Sequence, residues 1–154
     1  MAVTVYAIGK MRYAPYRTAA DEYLKRLGHY LTIHETELKS EASPKLSEAQ
    51  IREKESMQFL GQLAPSTYTF VLDERGKLMN SVDFSAVIGR LLAQSTDMAF
   101  IIGGAFGHHD CLRKRANLLF SLSPLTFPHE LARVLIYEQI YRAMTILKNE
   151  PYHK

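Results

Sequence analysis

Short apolar runs rich in β-branched residues alternate with helix-like segments along the chain, and this alternation most constrains the fold. Five runs are predicted as strands: Ala2–Ile8, Leu31–Leu38, Thr67–Leu72, Met98–Ile102 and Ser121–Phe127, the last as a short strand or an extended loop. Each precedes a helical pattern, which is typical of an open, mostly parallel α/β sheet flanked by helices. Such sheets bind ligands at the carboxyl ends of their strands.

Helix-end signals predict where the helices lie. A first helix ends near Gly28, and Ser47 with Gln50 predicts a capping box for a second helix that reaches about Leu63. Ser81 is the predicted cap of a third helix. The remaining segments are a turn over Asp73–Lys77, a short helix over Cys111–Leu119 and a long helix over His129–Leu147 that begins after Pro128.

Composition narrows the class of protein. The chain has 154 residues, which predicts a single domain, and its one cysteine excludes an internal disulfide framework. No apolar run approaches the length of a membrane span, and no basic segment precedes the first apolar run, so we expect a soluble intracellular protein. Residues 75–154 carry 10 basic and 6 acidic side chains. A basic half attracts polyanions such as nucleic acid, although a solvated surface of this charge is also ordinary.

Three glycines directly follow the fourth predicted strand, in the run Ile101–Gly107. Gly103, Gly104 and Gly107 let the backbone approach a ligand closely and offer N–H donors without a Cβ clash. The run matches neither GxGxxG nor a Walker sequence, and glycines alone are equally typical of a tight turn. The two histidines that follow have no second cluster of His or Cys to complete a site, so no metal is predicted.

The last predicted helix carries an ionic pair inside an apolar stretch. Glu138 and Arg142 are four residues apart, in the order that favours an ion pair on one helix face. On a surface the pair contributes little, whereas at a partly buried seam it marks a site or a subunit contact. The chain ends in Tyr152, His153 and Lys154, which are suited to stacking on a base and to meeting phosphate.

Four segments together resemble the RlmH family, the ribosomal large-subunit pseudouridine N3-methyltransferases of the SPOUT superfamily: Ile101–Gly107, Leu122–His129, Arg133–Met144 and Asn149–Lys154. The similarity extends over essentially the whole chain, and the C-terminal segments are its specific part. It implies a single domain over residues 1–154 with a deep trefoil knot, whose cofactor-binding region covers approximately residues 70–154. Such a knot is an exception to the rule that chains avoid them.

The resemblance also implies a homodimer with the knot regions at its interface, and S-adenosylmethionine (SAM) bound bent in the knot. The implied cofactor-binding residues lie at two strand ends and in one loop: Leu72, Gly103, Gly104, Gly107, Leu122, Ser123, Pro124, Leu125, Thr126 and Phe127. The implied substrate is a pseudouridine of 23S rRNA in the assembled ribosome. The protein is then expected in the cytoplasm, with no membrane and no metal.

The implied chemistry is methyl transfer to N3 of the base, in which catalysis is mostly positioning. Arg142, oriented by Glu138, is expected to meet phosphate or the uracil carbonyls. Tyr152 is expected to pack on the base after it leaves its stack.

His153, and in second place His129, are the candidate proton acceptors near neutral pH, with a positioning role ranked above a base role. His129 also suits the start of a helix. Lys154 and Arg133 are the predicted RNA contacts. Two alternatives stay open: another SPOUT enzyme acting on tRNA or a ribose 2′-OH, and a non-catalytic RNA- or ribosome-binding protein.

Overall fold

The computed structural model describes residues 1–154 and contains one five-stranded sheet. The elements are β1 (Val3–Ile8), α1 (Ala14–Leu27), β2 (Ile33–Leu38), α2 (Glu48–Gln62), β3 (Tyr68–Leu78), α3 (Ser81–Ala93), β4 (Met98–Ile102), α4 (Asp110–Arg115), β5 (Leu118–Ser121) and α5 (His129–Leu147). The strand order is β2-β1-β4-β3-β5, and all neighbouring strands are parallel. The predicted parallel α/β fold is confirmed.

Helices cover both faces of the sheet, and alternate strand residues pack into two cores. On one face Phe70 and Phe100 stack with their ring centroids 4.3 Å apart, beneath α1, α3 and α5. On the other face Val71 and Ile101 pack against α2 and α4. Helices α1 and α3 therefore follow their strands on one face, whereas α4 follows β4 on the opposite face. This opposition leaves crevices at the carboxyl ends on both sides of β4.

The capping box predicted for α2 is present. The Ser47 hydroxyl accepts a hydrogen bond from the Gln50 N–H at 3.2 Å, and the Gln50 side chain accepts one from the Ser47 N–H at 2.8 Å. Helix α5 occupies the predicted residues after Pro128. None of the helices combines the length and apolarity needed to cross a membrane.

The segment between β4 and α5 differs from the prediction. Helix α4 ends at Arg115 rather than Leu119, and β5 takes the residues that follow. Asn117 is the reason, because its N–H donates to the Thr69 carbonyl and its side chain accepts from the Thr69 N–H, both at 2.9 Å. These bonds draw the chain into the sheet, so most of Ser121–Phe127 is an extended loop and not a strand.

Strand β3 is longer than predicted, because Asp73–Lys77 continues it instead of forming a plain turn. Both Leu72 and Lys77 lie opposite Phe120 of β5, so the residues between them form a bulge. Within the bulge the carboxylate of Asp73 accepts a hydrogen bond at 2.9 Å from the backbone N–H two residues later. A local turn is thus contained within a continuing strand.

Helix α3 is capped one residue earlier than predicted. The Asn80 side chain accepts a hydrogen bond from the Asp83 N–H at 2.8 Å, so Asn80 and not Ser81 is the cap. Ser81 is the first helical residue, and its hydroxyl donates to Gln139 of α5 at 2.8 Å.

Candidate active site

A cleft of about 910 Å³ opens at the carboxyl ends of β3 and β4. Leu72 and the glycine run Gly103–Gly107 line it from the two strand ends, and Thr126 and Phe127 line it from the loop before α5. A smaller pocket of about 150 Å³ continues along the whole of Leu122–Phe127. All ten predicted cofactor-binding residues therefore line one of two adjoining pockets, which share Leu72, Thr126 and Phe127.

Both loops present backbone N–H groups that have no partner in the protein. No backbone N–H of residues 103–106 donates a hydrogen bond within the chain, and the same holds for Leu122, Ser123, Thr126 and Phe127. Main-chain groups are normally paired, so this concentration of free donors marks the wall that a ligand with acceptor atoms would complete.

His108 forms the floor between the two strand ends. Its ring is 3% exposed, and Nε2 donates to the carbonyl of Leu72 at 2.9 Å. The ring also lies 2.8 Å from the position that a Cβ on Gly103 would occupy, so only glycine fits there without a shift. Burial lowers the pKa of His108, which keeps the ring neutral. Its Nδ1 has no hydrogen-bond partner. Sequence reasoning considered this histidine only as a metal ligand and missed its packing role.

The ion pair predicted on α5 is present, and the chain terminus closes over it. Arg142 donates from Nε and Nη2 to Oε1 of Glu138 at 3.0 and 2.6 Å. The Tyr152 hydroxyl donates to the same oxygen at 3.1 Å, and the guanidinium lies 4.7 Å from the Tyr152 ring centroid. Nδ1 of His153 lies 3.3 Å from Nη1 of Arg142. We call these four residues the tail cluster.

The geometry of the tail cluster sets its protonation states. Arginine has only donors, so Nδ1 of His153 accepts, and a neutral His153 carries its proton on Nε2. Burial, together with hydrogen bonds to Tyr23 and Glu138, raises the pKa of Tyr152 and keeps its hydroxyl protonated. Arg142 retains further N–H groups on Nη1 and Nη2. The cluster therefore presents hydrogen-bond donors and an aromatic ring face to a ligand, rather than an unpaired proton acceptor.

A further cleft of about 470 Å³ connects the tail cluster with the loop before α5. Leu122 and Phe127 line it from the loop, Leu135 and Gln139 line it from α5, and His153 lines it from the tail. The loop therefore has one side on the large cleft and the other side toward the tail.

His129, the fifth predicted catalytic residue, lies apart from the tail cluster. It is exposed in the first turn of α5 and lines the large cleft. Arg142 is about 20 Å farther along the same helix, given a rise of 1.5 Å per residue. Lys154 is exposed at the end of the chain.

The RNA-binding role predicted for Arg133 is wrong. Its side chain is 2% exposed, and it forms its hydrogen bonds with partners inside the protein. Nε donates to Glu35 at 3.1 Å, Nη2 donates to Glu37, and Nη1 donates to the Gly9 carbonyl at 3.3 Å. Arg133 therefore fastens α5 to β2, and its burial keeps it from a phosphate at the surface.

Two further charged residues beside the glycine run were also missed. Arg113 of α4 donates to Asp73 at 2.7 Å, which fixes the bulge of β3. Glu55 of α2 is 3% exposed beneath Gly104. Because each pair joins separate elements, no short sequence pattern marks them. No three His, Cys, Asp or Glu side chains are grouped as metal ligands would be.

A family match and a similar solved structure indicate the class of protein. Residues 1–153 match the sequence model of a family described as "Predicted SPOUT methyltransferase". A solved structure of a methylase family protein from Neisseria gonorrhoeae has a similar fold, with a TM-score of 0.54 at 14% identity over 90% of this chain and 81% of that one.

Relatives define the particular group. A ribosomal RNA large subunit methyltransferase H from Caldicellulosiruptor saccharolyticus is 39% identical, with 99% of each chain covered. Those from Desulforamulus reducens and Enterococcus faecalis are 41% and 38% identical, with at least 98% of each chain covered. The chain belongs to this methyltransferase H family of SPOUT methyltransferases, as the sequence resemblance predicts.

Proposed function

We propose that this protein is a SAM-dependent methyltransferase that methylates N3 of a pseudouridine in 23S rRNA, on the assembled ribosome in the cytoplasm. The unpaired backbone N–H groups that line the cleft at the ends of β3 and β4 carry the proposal, because they can donate hydrogen bonds to a bound ligand. Full-length similarity to proteins named ribosomal RNA large subunit methyltransferase H supports the substrate class.

The residues of the large cleft fit SAM. Its volume of about 910 Å³ lies within the range of small-ligand sites. The free N–H groups of residues 103–106 suit acceptor atoms of the cofactor, and Leu122–Phe127 offers both apolar contacts and main-chain hydrogen bonds. When bound, SAM supplies a methyl group on a positively charged sulfur.

The tail cluster suits the substrate. The N3–H of pseudouridine is an imide proton, acidic enough to be lost without a powerful base, so the protein contributes chiefly by positioning the base. Arg142 holds N–H groups toward phosphate or uracil carbonyls, and Tyr152 offers a ring face on which a base can pack. The Nε2–H of His153 adds a donor, which supports positioning over a base role.

The proposal includes a homodimer. Leu78, Val82 and Leu125 are 56%, 52% and 73% exposed, and Leu78 and Val82 are next in sequence to residues that line the cleft beside the tail. A second copy packed there would cover these side chains. It would also bring one subunit's tail cluster toward the other subunit's SAM cleft, which no tail cluster residue lines within one chain.

The proposal also includes the trefoil knot in the C-terminal part. Its support is the match of residues 1–153 to the family of SPOUT methyltransferases.

The decisive experiment is methyl transfer from labelled SAM to assembled ribosomes, separated subunits and free rRNA, with nucleoside analysis of the product. We expect N3-methylpseudouridine with assembled ribosomes. If SAM binds by calorimetry but no ribosomal substrate is methylated, tRNA becomes the substrate to test. If SAM does not bind, the enzymatic proposal fails.

A further inference from the structure

A second cleft, of about 620 Å³, lies on the other side of the glycine run, at the carboxyl ends of β1 and β4. Gly104, Ala105, Phe106 and His129 line both this cleft and the large one, so the run is a shared wall. Because α1 and α4 leave β1 and β4 toward opposite faces of the sheet, this crevice is a switch point of the kind that binds ligands. We call it the β1 cleft.

Basic side chains without carboxylate partners line the β1 cleft. Lys10 and Arg12 come from the loop after β1, and His129 comes from the start of α5. All three are exposed, and none takes part in an ion pair. Exposed basic side chains around one crevice form a surface that attracts anions.

A backbone donor adds to these side chains. The N–H group of Lys10 has no hydrogen-bond partner in the protein. Gly9, with a φ of 78°, turns the chain out of β1 immediately before Lys10. Phosphate oxygens accept hydrogen bonds from a free backbone N–H and from the side chains of Lys and Arg.

Two carboxyl groups also line the β1 cleft, and each accepts a hydrogen bond from a backbone N–H. The Glu130 carboxylate is engaged by the backbone N–H of Arg12. Glu55 is 3% exposed, and its free Oε2 is shielded beneath Gly104, 3.0 Å from the position of a Cβ there. Its other oxygen accepts from the Glu41 N–H at 3.1 Å, and burial raises the pKa of Glu55.

We propose that the β1 cleft is a phosphate-binding site for the RNA substrate, in which Lys10, Arg12 and His129 hold the backbone of a nucleotide near the one that is methylated. This inference rests on the proposed function and adds residues that the tail cluster does not include. Since the glycine run separates the two clefts, an RNA held here lies next to the SAM site. The site fixes the register of the RNA and leaves SAM binding unaffected.

The test compares the Lys10→Ala/Arg12→Ala double variant with a control, Lys25→Ala/Arg90→Ala, which removes two exposed, unpaired cations elsewhere. The Arg12 N–H to Glu130 bond survives, because it is a backbone bond. We expect the KM for ribosomes to rise at least about tenfold and the salt slope of RNA binding to fall by up to about two, with SAM affinity unchanged. The control should match the wild type.

An unchanged KM and salt slope in the double variant overturns the site. Lys10→Glu, which keeps all backbone bonds, is the second variant if the double variant unfolds, and it should weaken RNA binding further. Filter binding of labelled rRNA separates the two proposals. If the wild type methylates nothing but its RNA affinity still falls in the double variant, the proposed function fails and the phosphate site stands. If RNA affinity does not change, the phosphate site fails.

Discussion

Arg142 is the residue on which the tail cluster is built, because Glu138, Tyr152 and His153 all contact its guanidinium. Its side chain is 25% exposed, so part of it remains open to a substrate. None of the tail cluster residues lines the large cleft. We therefore expect substrate positioning and cofactor binding to be separable by mutation.

Arg142→Ala, or deletion of Tyr152–Lys154, should leave SAM affinity within about twofold and lower the rate of methyl transfer by roughly 100-fold or more, since misplacing a substrate costs that much. Calorimetry and labelled-SAM transfer measure the two quantities. Arg90→Ala, an exposed arginine on α3 without an ion pair, should retain both. Parallel loss of SAM binding and transfer would contradict this separation.

Gly76 is the position where backbone meets backbone. An ideal Cβ there would lie 2.3 Å from the carbonyl carbon of Phe120, and no rotamer can relieve a contact with main chain. Gly61, near the end of α2, has nothing within 4 Å of the same position. The two glycines therefore form a matched pair, one needed for close approach and one replaceable.

Gly76→Ala should cost about 3 kcal/mol or more of unfolding free energy, because strand β5 must move. Gly61→Ala should add roughly 0.5 to 1 kcal/mol, as expected for a glycine inside a helix. Urea unfolding followed by circular dichroism measures both. A Gly76→Ala protein as stable as the wild type would show that β3 and β5 do not pass this closely.

His108 couples stability to pH through its burial. Its pKa lies below the usual 6.5, mainly because burial penalises the charged ring. As pH falls from 6.5 toward that lowered value, the unfolded chain binds a proton that the folded protein does not. Stability from this residue is therefore complete above pH 6.5 and is lost on acidification, at up to about 1.4 kcal/mol per pH unit.

His108→Gln should reduce the fall in unfolding free energy between about pH 7.5 and about pH 5.5, because an amide can donate to the Leu72 carbonyl but does not titrate in that range. The measurement is urea unfolding at the two pH values. His29→Gln, at an exposed position, should leave the fall unchanged. An equal fall in the wild type and His108→Gln would mean that other groups cause it.

At the scale of elements, α5 is fastened to the edge of the sheet by a buried ionic network. Arg133 binds Glu35 and Glu37 of β2, and Tyr137 also donates to Glu35. Burial alone would raise the pKa of Glu35, but hydrogen bonds from Arg133, Tyr137 and Arg17 lower it. The carboxylate therefore stays charged and depends on its donors.

Arg133→Met should cost about 3 kcal/mol or more, because removing one partner leaves carboxylates uncompensated in a partly buried site. Adding Glu35→Gln and Glu37→Gln should recover part of that loss, since no unpaired charge then remains. Thermal and urea unfolding measure both variants. A triple variant that is less stable than Arg133→Met would contradict this account.

The same helix shows how far the sequence predicts this molecule. Arg133 and Arg142 both lie on α5 among apolar residues, yet only the pairing of Arg142 was predictable, because Glu138 is four residues away. The carboxylates that hold Arg133 are 98 and 96 residues away, on a strand whose position depends on the whole fold.

Helix and strand boundaries are likewise predictable where they depend on residues close in sequence, and not where they depend on distant ones. The cap of α2 joins residues three apart and was predicted correctly. The end of α4 depends on a bond between Asn117 and Thr69, which are 48 residues apart, and it was missed. The sequence predicts that the glycine run and the loop before α5 lie at one site because each is a contiguous segment, and both line the clefts. The floor and rim of the clefts come from separate elements.

At the scale of the whole molecule, α5 both joins and separates the two halves of the proposed active site. Its first turn borders the SAM cleft, and its last turns carry the tail cluster, about 20 Å away at 1.5 Å per residue. Within one chain, His153 of the tail cluster shares a cleft with Leu122 and Phe127 of the loop before α5, but no tail cluster residue lines the large cleft. A symmetric dimer resolves this separation if each tail serves the partner's cleft.

Mixed dimers test that arrangement. One subunit carries Gly103→Ala, which pushes a Cβ into the His108 ring and is checked by calorimetry for loss of SAM binding. The other subunit lacks Tyr152–Lys154. Each homodimer should be inactive, because every site has one defect.

In the mixed dimer, a shared arrangement places both defects in one site and leaves the other intact, so activity per dimer should return to about half of the wild-type value. If each subunit instead uses its own tail, both sites keep a defect and the mixed dimer stays inactive. Differently tagged subunits, purified in sequence, isolate the mixed species, and labelled-SAM transfer to ribosomes measures the result.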